Sequence, residues 1–296
     1  MTVNIYTTFN GVGLEADAHI IKNALPDHHV NIIDWRKGSR GRYNYATLGI
    51  HLEHIRREYL RETALSVLIP NPEWFDSMFM RLLKRIDVVL CKSQNGLEIF
   101  RQFHPDCRYI GFTSYDRLAD VKKKREFVHI GGKSLHKNSR LVAAAWQGLS
   151  EKLTLQKLDG NFNGNYTFVR KRIEDMDAFL SSFQFHVCPS KAEGFGHYIN
   201  EALSVGGIVL TTDAPPMNEL VRPEYGIMIP ASAAGRHWLA REYEVTADGI
   251  RDAVRRCMLL TTQQIEQMSR LSRDVYLKRD AEFKTNLNNF IRCIKT

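Results

Sequence analysis

The chain reads as an α/β protein made of two doubly wound parallel sheets in succession, and three observations predict this. Short β-branched runs alternate with helical stretches from the first residues onward. The strand-like runs are continuously apolar, as expected of strands buried on both faces between helices. The alternation halts around residues 116–125, in the polar and basic stretch YDRLADVKKKRE, and then restarts. A chain of 296 residues is long enough for two domains. The expected division is 1–118 and 119–296.

In the first domain, strands are expected at VNIYTTF (3–9), HVNIIDW (29–35), GIHLEHI (49–55), SVLIP (66–70), DVVLC (87–91) and RYIGF (108–112). Helices are expected from Leu14 to Ala24, from Phe75 to Arg85 and from Gln94 to Phe103. The second domain opens with EFVHIGG (126–132) and a helix from Leu141 to Leu149. Strands follow near 153–158 and 166–169, then a helix near 173–182, FQFHVCP (183–189), a helix from about Gly196 to Val205, and GIVLTT (207–212). From Ala247 onward the pattern is wholly helical, with Phe283, Leu287, Phe290 and Ile291 spaced for one buried face.

Composition narrows the function classes. The chain is 44% hydrophobic and 25% charged, an ordinary globular balance. No apolar run approaches the roughly 20 residues of a membrane helix, and the amino terminus lacks a leader pattern, so a cytoplasmic protein without a transmembrane segment is expected. The five cysteines are scattered without a Cys-x-x-Cys pair, which argues against a disulfide framework or a zinc site and for reduced, mostly buried thiols. The net charge of +8 favours acidic partners: nucleic acid, phosphorylated ligands or anionic surfaces.

In a doubly wound fold, ligands sit at the carboxyl ends of strands, where helix amino termini offer N–H groups and partial positive charge to phosphate. FQFHVCP ends at Ser190 and is followed by Lys191-Ala-Glu-Gly-Phe-Gly before a helix begins. Gly194 and Gly196 let the backbone approach a ligand closely. Glu193 stands in this loop, and Glu201 lies about a turn and a half into the helix, where its carboxylate can accept from a vicinal diol such as ribose.

The longer string CPSKAEGFGHYINEALSVGGIVLTTDAPPMNELV resembles the donor-binding signature of retaining GT-B glycosyltransferases, in particular glycosyltransferase family four. The resemblance implies two Rossmann-like αβα domains facing across a cleft, with a helical carboxyl-terminal end. It further implies a nucleotide sugar, UDP-linked, as co-substrate, transfer with retention of configuration, and neither cofactor nor metal; no Asp-x-Asp stands at a strand end. Glu193 would contact hydroxyls of the transferred sugar and Glu201 the ribose, while Gly194, Phe195 and Gly196 would present backbone to the diphosphate. Asn218 and Glu219 match a less specific part of the pattern, and capping of a helix near 215–221 would account for either one equally well.

A second segment, HIGGKSLHKNS, resembles the family's pair of diphosphate-binding cations, with Lys133 and Lys137 at the matching places. Lys133 replaces the usual arginine, and Asn138 stands where glycine is common. Lysine still serves phosphate as a point charge, without the fork of arginine. With Glu193, these two lysines are the expected catalytic groups.

The amino-terminal domain is expected to hold the acceptor. Gly13 closes the Asn10-Gly-Val-Gly turn after the first strand, a flexible loop where donor phosphate and acceptor would approach. Glu53, His54, Asn71 and Glu73 fall at strand ends near the expected cleft edge, with Glu53, Asn71 and Glu73 the acceptor candidates. Residues 35–45, WRKGSRGRYNY, combine Arg36, Lys37, Arg40 and Arg42 with Trp35, Tyr43 and Tyr45 and contain no acid. Cations interleaved with stacking rings suit a nucleic-acid strand, as a solvated loop also would. DNA carrying a hydroxymethylated pyrimidine is the specific acceptor expected, against a lipid, a polysaccharide or a small molecule. The competing class is a nucleotide-sugar-binding module that has lost transfer.

Overall fold

The computed structural model describes residues 1–9, 11, 13–37 and 45–294. Contacts divide the chain into two compact units, the first being Met1–Ser114, His237–Ala240 and Arg279–Thr296, the second Tyr115–Arg236 and Arg241–Lys278.

Unit 1 runs β1 (Thr2–Thr7), α1 (Gly13–Asn23), β2 (His29–Asp34), β3 (Ala46–Leu52), β4 (Thr63–Ile69), α2 (Met80–Leu83), β5 (Val88–Cys91), α3 (Gln94–Phe100) and β6 (Cys107–Tyr109). The six strands lie in the order β2-β1-β3-β4-β5-β6, and every pair is parallel, with Ile5 opposite Ile50 and Ile50 opposite Val67. The continuous apolar runs thus form interior strands; β5 is buried at every position.

The helix expected from Phe75 to Arg85 is instead two 3₁₀ turns, Pro72–Trp74 and Ser77–Phe79, followed by the four-residue α2. Asp76 breaks it: its backbone is extended, and its carboxylate accepts the Met78 N–H at 2.8 Å. The apolar spacing still serves its purpose, because Phe75, Phe79 and Leu83 are buried against Phe100.

Unit 2 runs β7 (Lys124–Gly132), α4 (Ser139–Ala145), β8 (Leu153–Lys157), β9 (Thr167–Val169), α5 (Met176–Ser181), β10 (Phe183–Cys188), α6 (His197–Ser204), β11 (Ile208–Thr212), α7 (Met217–Leu220) and β12 (Gly226–Ile229). Its six-stranded sheet is also parallel, in the order β12-β11-β10-β7-β8-β9. A hairpin of β13 (Ser232–His237) and β14 (Ala240–Glu244) follows, then α8 (Ala247–Leu259) and α9 (Thr262–Ile294). Neither β12 nor the hairpin is legible in the sequence; β13 is exposed along most of its length and carries no buried alternation. The core of unit 2 centres on Phe127, stacked on Phe185 with ring centroids 4.8 Å apart, and on Trp146, fully buried with its indole N–H donating to the Glu151 carbonyl. Truncating such a ring to alanine costs about 3–5 kcal/mol.

The expected division at 118/119 assigned the whole helical end to the second domain. By contacts, α9 is shared, and from Arg279 it groups with unit 1. The stripe of Phe283, Leu287, Phe290 and Ile291 is buried, and Phe283 meets Phe112 edge to face at 4.7 Å, which is the apolar burial that holds this segment there. Within each unit the parallel strands end on one edge, where the loops after β3, β4, β5, β7, β10 and β11 gather.

Candidate active site

In unit 2, the loop after β10 turns into α6 at Gly196, whose φ of 95° lies in the left-handed region. An L side chain there is strained, and its Cβ would meet Leu220 Cδ1 at 3.0 Å. Gly196 caps α6 without any side-chain hydrogen bond, so first-turn N–H groups remain for an anion.

Around this turn the predicted residues converge. Ser190 Oγ donates to Glu193 Oε1 at 2.6 Å, so the Tyr198 hydroxyl, in close contact with Ser190 Oγ, donates to that serine oxygen. The Lys137 ammonium lies over the Tyr198 ring, 4.2 Å from its centroid. Burial pushes the Lys137 amine below its ordinary value, opposed first by attraction to Glu193. Burial pushes the Glu193 carboxyl up, and Lys137 is the strongest influence holding it down. The Lys137 amine and the Glu193 carboxyl thus each offset part of the other's burial cost, an arrangement that a charged ligand perturbs strongly.

Beside them is a cavity of about 100 Å³ lined by Lys137, His197, Tyr198 and Glu201 on one side and by Met176, Leu180 and His186 on the other. It is smaller than the roughly 300–1,000 Å³ of whole-ligand pockets, so it takes one part of a larger ligand. Glu201 reaches it from α6 with Oε1 bound to Arg117 at 3.1 Å. Lys133 is exposed and does not line this cavity.

Asn138 departs from the family pattern for a reason the backbone supplies. It precedes α4 at φ 59°, ψ 29°, the left-handed conformation that glycine and asparagine tolerate best, and its Nδ2 donates to the Pro189 carbonyl at 2.9 Å. The side chain thereby ties the loop after β7 to the loop after β10. Neither Asn218 nor Glu219 caps α7: the cap position is Pro216, with no side-chain bond, and Asn218 Nδ2 donates instead to Asp213 at 3.2 Å.

In unit 1, Gly13 begins α1, with open space where a Cβ would stand. At the ends of β3, β4 and β5 lies a buried polar chain. Lys92 is paired with Asp17 at 2.5 Å, each side chain 2% exposed, and also donates to Asn71 Oδ1 at 3.0 Å. Asn71 Nδ2 in turn donates to Glu53 Oε2 at 3.0 Å. The Lys92 contact fixes which way the Asn71 amide faces. Glu53 has a left-handed backbone, φ 63°, and burial raises its carboxyl to about 7. His54 lies 3.6 Å from Glu53, and burial lowers its imidazole. Glu73 is buried too; its carbonyl accepts from His237 Nδ1 at 2.7 Å. Sequence reasoning found Glu53 and Asn71 but missed Asp17 and Lys92, whose signal was an acid in α1 and a lysine just past a buried strand. Of the basic cluster, Arg36 and Lys37 are exposed, with Arg36 stacked near Trp35 at 5.6 Å; Arg40, Arg42 and Tyr43 lie outside the described residues.

Residues 112–240 match the family model for glycosyl transferases group 1, and these residues contain the Gly194–Gly196 turn, Lys137, Glu193 and Glu201. The chain thus carries a group 1 glycosyltransferase domain at 112–240 within a GT-B fold. The glycosyltransferase is similar in structure to sucrose-phosphate synthase (tll1590) from Thermosynechococcus elongatus, with a TM-score of 0.75 at 11% identity over 99% of both chains. It is likewise similar to Anabaena Alr3699/HepE, solved in complex with UDP and glucose, with a TM-score of 0.71 at 15% identity over 99% of this chain and 100% of that one. Against the GtfA/B complex the TM-score is 0.61 at 14% identity, and the match covers 83% of this chain but 57% of that one. No curated protein matches the glycosyltransferase in sequence. Among the described residues, no group of three or more His, Cys, Asp or Glu is placed to hold a metal ion, and no helix is long and apolar enough to cross a membrane.

Proposed function

We propose that the glycosyltransferase, as a member of family four, transfers a sugar with retention of configuration from a UDP-linked nucleotide sugar to a hydroxyl acceptor. The observation that carries this reading is the convergence of Lys137, Glu193, Glu201 and the uncapped start of α6 at one strand-end loop. In it, Glu201 Oε2 accepts from the ribose, α6 N–H groups and Lys137 hold the diphosphate, and Glu193 accepts from hydroxyls of the transferred sugar. Negative charge grows on the diphosphate as the glycosidic bond breaks, so a fixed ammonium and aligned N–H groups favour the transition state over the ground state. Lys133, exposed just after β7, adds to the positive field. Glu53, Asn71 and Glu73 serve the acceptor, and Gly13 leaves backbone room beside it.

For the acceptor we propose a polyanion, specifically DNA carrying a hydroxymethylated pyrimidine, whose primary alcohol is a suitable nucleophile once the base is exposed. The net charge of +8 and the exposed Arg36 and Lys37 beside Trp35 support it. A donor panel offered with modified DNA, lipid and polysaccharide acceptors, read by intact mass and by the anomeric configuration of the product, tests both parts. Release of nucleotide with a retained linkage, insensitive to chelator, is expected. An inverted product or abolition by chelator overturns the mechanism, and absence of duplex binding at about 50 mM salt overturns the acceptor.

A further inference from the structure

The segment after Ser114 reads as a polar linker, yet Arg117 is bound at every polar group by the two helices that wall the cavity. Its Nε donates to Glu201 Oε1 at 3.1 Å, its Nη2 forms an ion pair with the same oxygen at 3.1 Å, and its Nη1 donates to Asp177 Oδ1 at 2.9 Å. Its backbone N–H donates to Ser204 Oγ at 3.0 Å, and its carbonyl accepts from Ser181 Oγ at 3.0 Å. Ser204 Oγ donates back to the Glu201 carbonyl at 2.7 Å. Asp177 and Ser181 belong to α5, Glu201 and Ser204 to α6, and these helices supply Met176, Leu180, His197, Tyr198 and Glu201 to the cavity wall. The guanidinium is thus a strut between α5 and α6, with the Tyr115 ring 4.9 Å away.

Its grip on Glu201 is one-sided. Both guanidinium contacts go to Oε1, while no hydrogen bond to Oε2 is found among the described residues. We infer that Arg117 is a positioning residue for nucleotide recognition, which by occupying Oε1 of Glu201 aims Oε2 at the ribose of the donor and fixes the α5–α6 spacing around it. This rests on the proposed role of Glu201. Two physical consequences follow. The carboxylate loses rotational freedom before the ligand arrives, so less entropy is lost on binding. The pair Glu201 and Asp177 is also neutralised in part, without which two anionic groups would flank the path of a diphosphate. A lysine cannot replace this geometry, because a point ammonium does not span two carboxylates as the planar fork does.

The test uses calorimetry with UDP and with 2′,3′-dideoxy-UDP on the whole chain, comparing wild type with Glu201→Ala, Arg117→Met and Arg117→Lys. Wild type is expected to prefer UDP by about tenfold or more, the worth of a hydrogen bond to a charged group. Glu201→Ala abolishes the preference. Arg117→Met abolishes it as well, because Oε2 is no longer aimed at the ribose, and any weakening it brings to dideoxy-UDP reports the lost neutralisation of Glu201 and Asp177 beside the diphosphate. Equal losses for both ligands with the preference intact, in Arg117→Met or, should that variant misfold, in Arg117→Lys, overturn the inference. If wild type shows no preference, or Glu201→Ala keeps it, the role of Glu201 itself fails, an outcome distinct from retention of the preference in the Arg117 variants alone.

Discussion

Replacing Lys137 with methionine keeps the length of the stem and the packing over Tyr198 while removing the charge 4.2 Å from that ring. The ammonium is expected to make a charge-assisted hydrogen bond to the donor diphosphate, worth about 1.5–3 kcal/mol, so the dissociation constant for UDP rises roughly ten- to hundredfold. Uridine, which lacks the diphosphate, is bound as before. The free protein changes too. Lys137 is the main influence opposing the upward push of burial on the Glu193 carboxyl, so its loss raises that carboxyl further. A carboxyl raised in the folded state stabilises at low pH, and the contribution is lost as pH rises through the folded value, so Lys137→Met loses stability toward alkaline pH more steeply than wild type. Adding Glu193→Gln removes that slope. Calorimetry with UDP and uridine, together with denaturant unfolding across pH, measures both effects. Equal weakening of UDP and uridine, or unchanged UDP affinity, refutes the placement of the diphosphate at Lys137.

In unit 1, Glu53 binds its proton up to about pH 7 when folded, against an ordinary carboxyl near 4.5. Wild-type stability therefore falls between those two pH values by about 3 kcal/mol, and Glu53→Gln, which still accepts from Asn71, flattens that part of the curve in denaturant titrations. Asn138→Ala places a Cβ residue without a polar arm in the left-handed conformation and deletes the bond to Pro189, costing about 2–3 kcal/mol, whereas Asn138→Gly loses only the bond and costs about 1 kcal/mol by the same measurement. A reversed order for the two Asn138 variants contradicts the conformational argument.

How much of this was legible depended on whether the signal was local. The parallel αβ alternation is local: β5 and β10 are buried on both faces, so each must be continuously apolar, and their sequences are. The same holds for Gly196, where a positive φ and close approach admit little but glycine, and for the stripe of Phe283, Leu287, Phe290 and Ile291. Glu193 and Glu201 were visible because they sit at fixed offsets from that turn, and Lys137 because HIGGKSLHKNS resembles the family's pair of diphosphate-binding cations. The hairpin β13–β14 was not, because β13 is exposed along most of its length and needs no alternation. Nor was the breaking of the helix after Phe75, which turns on one side-chain bond from Asp76.

What only the tertiary structure decided is which distant groups share a burial and a charge. Asp17 and Lys92 stand 75 positions apart, and Arg117 reaches Glu201 across 84; nothing in the local sequence distinguishes either cation from an ordinary solvated one. A buried ion must find its partner wherever the fold brings the two together, and periodicity carries no record of that meeting. The sequence by itself determined the strands from β1 to β11, the turn and the residues it presents. The fold determined that Lys137 is half-buried and lines the cavity while Lys133 is exposed, that Glu53 holds a proton near neutrality, and that an arginine in an apparent linker holds the carboxylate proposed to bind the donor.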